Sequence, residues 1–264
     1  MRIEKKFKAL KKANKKAFVS YIMACDPNEK ITKELLEKLP KAGVDLIELG
    51  MPFSDPAAEG PTIQLAAMRA LKTKCNIDKC LQLVKNFRKT NNDTPIVLMG
   101  YYNPVFVYGV ERFVKTAVSA GVDGLIIVDL PPEEENELTK YSNKKLDLIR
   151  LTTPTTDAAR AKIIMKNASG FVYYVSVAGV TGVKTAITKE VEKAVNNLKK
   201  HTKLPVCVGF GINTPQIAKD ISKTADGIVI GSAFIKMIEQ NLKSPEKAVS
   251  ECVKFAKAVR KAID

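Results

Sequence analysis

Eight short, apolar, β-branched runs alternate with amphipathic helical stretches along this chain, and that alternation constrains the fold more than any other feature. The runs are Phe18 to Met23, Asp45 to Leu49, Pro95 to Gly100, Gly124 to Asp129, Leu146 to Leu151, Phe171 to Ser176, Pro205 to Gly209 and Asp226 to Gly231. Such runs, separated by helices, build a parallel sheet with crossover connections. Apolar periodicity predicts helices over Ile77 to Lys89, Val110 to Ala120, Pro132 to Lys140, Asp157 to Lys166, Lys189 to Lys199, Pro215 to Lys223, Phe234 to Gln240 and Ser244 to Ile263. Eight such units in 264 residues, with no G-x-G-x-x-G opening the first helix, favour a closed (β/α)8 barrel over an open doubly wound sheet. No linker or low-complexity tract divides the chain, so residues 1–264 read as a single α/β domain, a TIM barrel with an extra N-terminal helix. The basic leader up to Lys16 is expected to be only a solvated helix over the barrel bottom.

Composition removes several function classes. The formal charge of +15 would attract nucleic acid if it were gathered on one face, but the lysines are spread over nearly every helical segment with few aromatics between them. Solvated lysine-rich faces follow, with a general attraction for anionic small substrates and no nucleic-acid partner. The five cysteines form no CxxC pair and no zinc-finger spacing, and read as reduced thiols of a cytosol. The N-terminal residues lack a signal-peptide core and no apolar run approaches a membrane span, so a cytoplasmic protein without a membrane partner is expected. The one histidine, His201, precedes a strand, at the end of a β/α unit opposite to where barrel chemistry is found. A triad, an imidazole base or a His-rich metal site would all rest on this one ring.

The spacing of the runs then points to the site. The step from the second run to the third is 50 residues and that from the sixth to the seventh is 34, the two longest in the chain. Catalytic groups of barrels sit in the loops after strands, and the first of these long connections reads D-L-I-E-L-G-M-P-F-S-D-P-A-A-E-G-P-T-I-Q over Asp45 to Gln64. It places Glu48 at a strand end and Glu59 in the Pro/Gly-rich loop that follows. Two carboxyls held over one pocket by a rigid strand and a loop can divide acid and base roles between them. The seventh run ends V-G-F-G-I-N and the eighth ends V-I-G-S-A-F-I-K, glycine turns where barrels bind phosphate. The backbone N–H groups of Gly211, Gly231 and Ser232, and of Gly182 in A-G-V-T-G, are candidates to cradle it. No strand end carries a lysine for Schiff-base chemistry. A metal held by Glu48, Asp129 and Asp55 lacks both an imidazole and an acidic cluster, so no metal is expected. What remains is acid/base chemistry on a phosphorylated substrate.

With L-I-E-L-G-M-P-F-S-D-P-A-A-E-G-P-T-I-Q, L-M-G-Y-Y-N-P, S-V-A-G-V-T-G, V-G-F-G-I and I-G-S-A-F-I-K in this order, the chain from about Phe18 onward resembles the tryptophan synthase alpha subunit family. The resemblance implies a barrel that cleaves indole-3-glycerol phosphate to indole and glyceraldehyde 3-phosphate in the last steps of tryptophan biosynthesis, with no cofactor of its own. It also implies a partner, a pyridoxal-phosphate beta subunit that receives indole through a channel in an alpha2beta2 tetramer. By position, Glu48 matches the acid/base glutamate, and Glu59 the carboxylate beside the indole N–H, where the family has Asp. Tyr173 matches the active-site tyrosine. Gly182, Gly211, Gly231 and Ser232 match the phosphate-binding backbone, and Tyr21, Ile63, Tyr101 and Phe210 the indole pocket. Thr181 lies in the loop that closes over substrate, and Pro52, Asp55 and Pro56 lie in the loop facing the beta subunit. Two departures stand out: Glu59 is one methylene longer than Asp, and Cys25, in A-C-D-P, stands where glycine is expected. A stand-alone indole-3-glycerol phosphate lyase, or a weakened barrel that only activates the beta subunit, are the alternatives the same residues allow.

Overall fold

A computed structural model of the chain describes residues 1–142, 144–176, 184–209 and 211–264, with backbone alone for 184–188. Among the described residues nine strands form one all-parallel sheet: β1 (Ala17–Met23), β2 (Leu46–Gly50), β3 (Ile96–Gly100), β4 (Gly124–Ile127), β5 (Asp147–Leu148), β6 (Arg150–Thr152), β7 (Val172–Val175), β8 (Val206–Gly209) and β9 (Gly227–Ile230). They are ordered β5-β4-β3-β2-β1-β9-β8-β7-β6. The ends of that order, β5 and β6, are two halves of the fifth apolar run, parted by Ile149 alone. The first half pairs with β4 and the second with β7, so the chain itself closes the ring into a barrel. Ile149 keeps the β4 side through its N–H to Leu125 O at 3.0 Å. The sequence reads this run as one strand because only the change of hydrogen-bonding neighbour splits it.

Strand side chains alternate between two apolar environments. Phe18, Ile22, Ile47, Leu49, Leu98, Val208 and Ile228 face the helix shell. Val19, Leu46, Val97, Ile126, Ile149, Phe171, Cys207 and Val229 fill the lumen. Between β2 and β3 the extra sequence length is a ten-residue loop, 51–60, and then two helices, α3 (Pro61–Lys72) and α4 (Ile77–Arg88). The predicted helix over Ile77 to Lys89 is α4, and α3 is an additional helix within the long connection. Pro61 sits at the first helical position of α3, where its missing N–H costs no hydrogen bond.

The leader forms a helix, α1 (Arg2–Lys12), but it is not merely solvated. Ile3, Phe7 and Leu10 recur at helical spacing on one face and enter the lumen from below, where the Phe7 ring lies 5.7 Å from that of Phe171. Burying a side chain such as Phe7 stabilises by about 1.5–3 kcal/mol. Lysines on the opposite face concealed this plug from a charge-based reading. The remaining helices are α2 (Glu29–Lys41), α5 (Tyr102–Tyr108), α6 (Val110–Ala120), α7 (Asn136–Ser142), α8 (Ala158–Met165), α9 (Lys184–Leu198), α10 (Pro215–Ser222), α11 (Ser232–Gln240) and α12 (Pro245–Ile263). No helix among the described residues is long and apolar enough to cross a membrane.

Candidate active site

Glu48 lies at the third position of β2, directly in register with Tyr21 on β1, and both side chains turn into the lumen. Its neighbours Ile47 and Leu49 take the outer face, so alternation that would have carried an isolated glutamate outward here carries it inward. Glu48 is fully buried, and neither carboxyl oxygen has a hydrogen-bond partner among the described residues. Desolvation, reinforced by the nearby Glu59, pushes its pKa from the ordinary 4.5 up to about 8. Burial raises Glu59 as well. An unpartnered buried carboxyl costs folding energy, and functional sites are where such costs accumulate.

A cavity of about 90 Å³ at the carboxyl end of the barrel is lined by Tyr21, Glu48, Glu59, Ile63, Tyr173, Gly211, Gly231 and Ser232, with Met99, Ile212 and Val229 between them. Eight residues proposed from the sequence for three different jobs therefore meet in one place. Gly231 and Ser232 stand at the N-terminus of α11, where the first N–H groups have no intrahelical acceptors and the helix dipole is positive. Gly211 lies across from them in a left-handed turn, φ +76°. A larger groove of about 830 Å³ runs along α9 past Thr153, Tyr174 and Asn197, but it brings together neither the two acids nor the glycine turns.

The two tyrosines fit by means of two glycines. A Cβ at Gly50 would lie 2.3 Å from the Tyr21 hydroxyl, and a Cβ at Gly209 would lie 2.3 Å from that of Tyr173. Any larger residue there would displace a phenol from the site. Desolvation and the two carboxyls push both phenol pKa values well above the usual range, so both remain protonated donors. Tyr101 serves differently from its expected part in the pocket wall. Its hydroxyl accepts the Ala58 N–H at 3.0 Å and its ring lies 5.5 Å from that of Phe53, which ties the Glu59 loop to the end of β3. The Glu59 carbonyl also accepts from Gln64 Nε2 at 2.9 Å. In the same loop Pro52 is buried, Pro56 half-buried and Asp55 exposed. Gly182, Thr181 and Phe210 lie outside the described residues.

One further feature escaped the sequence reading, and one departure the sequence showed finds its reason. Asp26, fully buried after β1, accepts two hydrogen bonds from Arg69 of α3, at 2.7 and 2.9 Å, while Arg69 approaches Glu239 of α11 at 3.6 Å. This clamp joins the helix after Glu59 to the helix whose N-terminus lines the cavity. Cys25 adopts φ +62°, the left-handed conformation that explains the expectation of glycine there. Its N–H is held by Thr32 Oγ1 at 2.9 Å.

A parallel barrel whose carboxyl-end cavity joins two raised carboxyls to a glycine-lined helix N-terminus defines a class: a (β/α)8 barrel with its polar groups gathered at the carboxyl ends of the strands. The chain belongs to the tryptophan synthase alpha chain family, which matches residues 7–264, and is thus an enzyme subunit of tryptophan synthesis. It is similar to tryptophan synthase subunit alpha of Legionella pneumophila str. Paris, with 41% identity, coverage of 100% of this chain and 98% of that one, and a TM-score of 0.93. A structure from Aquifex aeolicus VF5 is 36% identical over 99% of this chain and 98% of that one, at TM-score 0.89. One chain of the Mycobacterium tuberculosis tryptophan synthase, in an open form with BRD0059 bound, is 27% identical with coverage of 99% and 98%, at TM-score 0.88.

Proposed function

We propose that this chain cleaves indole-3-glycerol phosphate into indole and glyceraldehyde 3-phosphate. The observation that carries the reading is the shared cavity of Glu48, Glu59, Gly211, Gly231 and Ser232. The substrate phosphate sits on the amides at the start of α11 and beside Gly211, with the indole ring directed down toward Glu48. Glu48, still protonated near neutral pH, gives its proton to indole C3. The ring then carries a positive charge whose N–H turns acidic, and the Glu59 carboxylate stabilises it. Glu48, now a carboxylate, takes the proton of the glycerol hydroxyl as the carbon-carbon bond breaks and its electron pair returns to the ring. Indole and an aldehyde leave, and Glu48 ends protonated as it began. No cofactor enters this sequence; pyridoxal phosphate belongs to the partner.

That partner is a beta subunit, in an alpha2beta2 tetramer of the cytoplasm. Its support on this chain is the rim beside the cavity: Asp55 is exposed in the Glu59 loop, and Phe106 and Val107 of the adjoining α5 are 63% and 78% exposed. Apolar side chains that stand this far out at the mouth of a site suit a protein contact. Release of indole from indole-3-glycerol phosphate by the purified chain, with and without a pyridoxal-phosphate beta subunit, tests both parts. Weak release that rises on adding the partner supports the reading. Equal release in both favours a stand-alone lyase, and no release in either leaves only activation of the beta subunit.

A further inference from the structure

A pocket wall needs the ring of Tyr21 and has no use for its hydroxyl. The ring enters the lumen level with Glu48, yet the phenol oxygen reaches past it and comes to rest over Gly50, two residues further along β2. That is the rim from which the chain departs into the loop bearing Glu59. The loop's backbone is tied by Tyr101 and Gln64, whereas the Glu59 carboxyl has no hydrogen-bond partner among the described residues. The same holds for the Tyr21 and Tyr173 hydroxyls, and all three side chains line one cavity with Glu48. Among the described residues the site thus contains two unpaired carboxyls and two unpaired O–H donors. They are not interchangeable: of the charged groups, Glu59 acts on Tyr21 ahead of Glu48, while Glu48 acts on Tyr173 ahead of Glu59.

We propose that Tyr21 is a positioning residue for Glu59, its O–H donating to the Glu59 carboxylate as that side chain turns inward and fixing it where the substrate's ring N–H arrives. Tyr173 stands in the corresponding place beside Glu48. A glutamate on a loop has three rotatable side-chain bonds, and a misplacement of about 1 Å in a reacting group can cost roughly 100-fold in rate. A single charge-assisted hydrogen bond from a buried phenol removes much of that freedom. The part played by the ring N–H rests on the function proposed above; the pairing of Tyr21 with Glu59 does not.

Tyr21→Phe keeps the ring and deletes the donor. With indole-3-glycerol phosphate, kcat is expected to fall about 10-fold with KM within about 2-fold, and in a Glu59→Gln background the same change is expected to cost less than about 2-fold. A second arm needs no turnover: 13C NMR titration of the Glu59 carboxyl, assigned by its loss in Glu59→Gln, with and without glycerol 3-phosphate. Losing a donor to the carboxylate is expected to raise its midpoint by about 0.5–1 unit. Glu48, Tyr101 and Asp26 also face Tyr21, so Tyr173→Phe serves as the control expected to leave the Glu59 midpoint in place. An unmoved Glu59 midpoint in both states, or a raised KM at unchanged kcat, overturns the proposal and returns Tyr21 to a wall. If the wild-type chain releases no indole, the functional reading fails while the titration still decides the pairing.

Discussion

The two ends of the barrel treat their carboxylates in opposite ways. At the amino end Asp45, Asp123 and Asp226 each accept the backbone N–H that opens a neighbouring strand, from Phe18, Ile96 and Val206 at 2.8–2.9 Å. Each also holds a cation: Arg260 on Asp45, Arg2 and Arg88 on Asp123, Lys199 on Asp226. Below the lumen α1 closes the remaining gap with Ile3, Phe7 and Leu10. At the carboxyl end Glu48 is fully buried and has neither amide nor cation among the described residues. The same strands thus carry a satisfied end that stabilises the fold and an unsatisfied end that lines the cavity.

The contrast is broken most sharply by exchanging a carboxyl for a neutral group at each end. Glu48→Gln keeps shape and loses the proton, and kcat for indole release is expected to fall by at least about 10³-fold while glycerol 3-phosphate affinity holds. Near-normal turnover removes Glu48 from the chemistry. Asp123→Ala leaves Arg88 buried without its carboxylate and is expected to cost about 3–5 kcal/mol in denaturant unfolding, with the activity of the folded fraction unchanged. A loss of activity without a loss of stability would mean that the ends are not separate.

A third test joins stability to pH. The folded-state pKa of Glu48, about 8, lies above its ordinary 4.5, so between these values the folded chain holds a proton the unfolded chain has released. Its contribution to stability therefore falls as pH rises from about 4.5 to about 8 and is level above. The span amounts to about 2–5 kcal/mol, and melting curves of wild type and Glu48→Gln should diverge across it, the variant being the more stable at pH 8. Parallel curves would place Glu48 in a wetter setting. The smallest effect comes from Gly209→Ala, whose methyl meets the Tyr173 hydroxyl: about 10-fold in kcat and about 1–3 kcal/mol in stability. A purely stabilising outcome would show that the phenol position is not held by that glycine.

The pattern of eight runs made the barrel legible, and the long second connection together with the glycine turns made most of the cavity legible. Each of these is a local signal: period, length, and residue types that turns require. What the sequence hid are relations between distant residues. Nothing local tells that Arg2 and Arg88 share Asp123, that Arg69 reaches Asp26, or that Tyr101 receives the Ala58 amide. The split at Ile149 was hidden because pairing, not composition, defines it. The plug formed by α1 was masked by the lysines of its outer face, although Ile3, Phe7 and Leu10 already carried the helical period. Cys25 was legible as a departure, and its left-handed backbone supplies the reason.

The dependence of kcat/KM for indole release on pH, measured from about pH 5 to 10 with the Glu48→Gln chain as the blank, addresses the unsatisfied end most directly. A buried Glu48 acting first as an acid predicts activity sustained through neutrality and lost as pH rises through about 8, since the proton it must give is gone above that value. Activity that instead falls from near pH 4.5, or continues undiminished to pH 10, would contradict it.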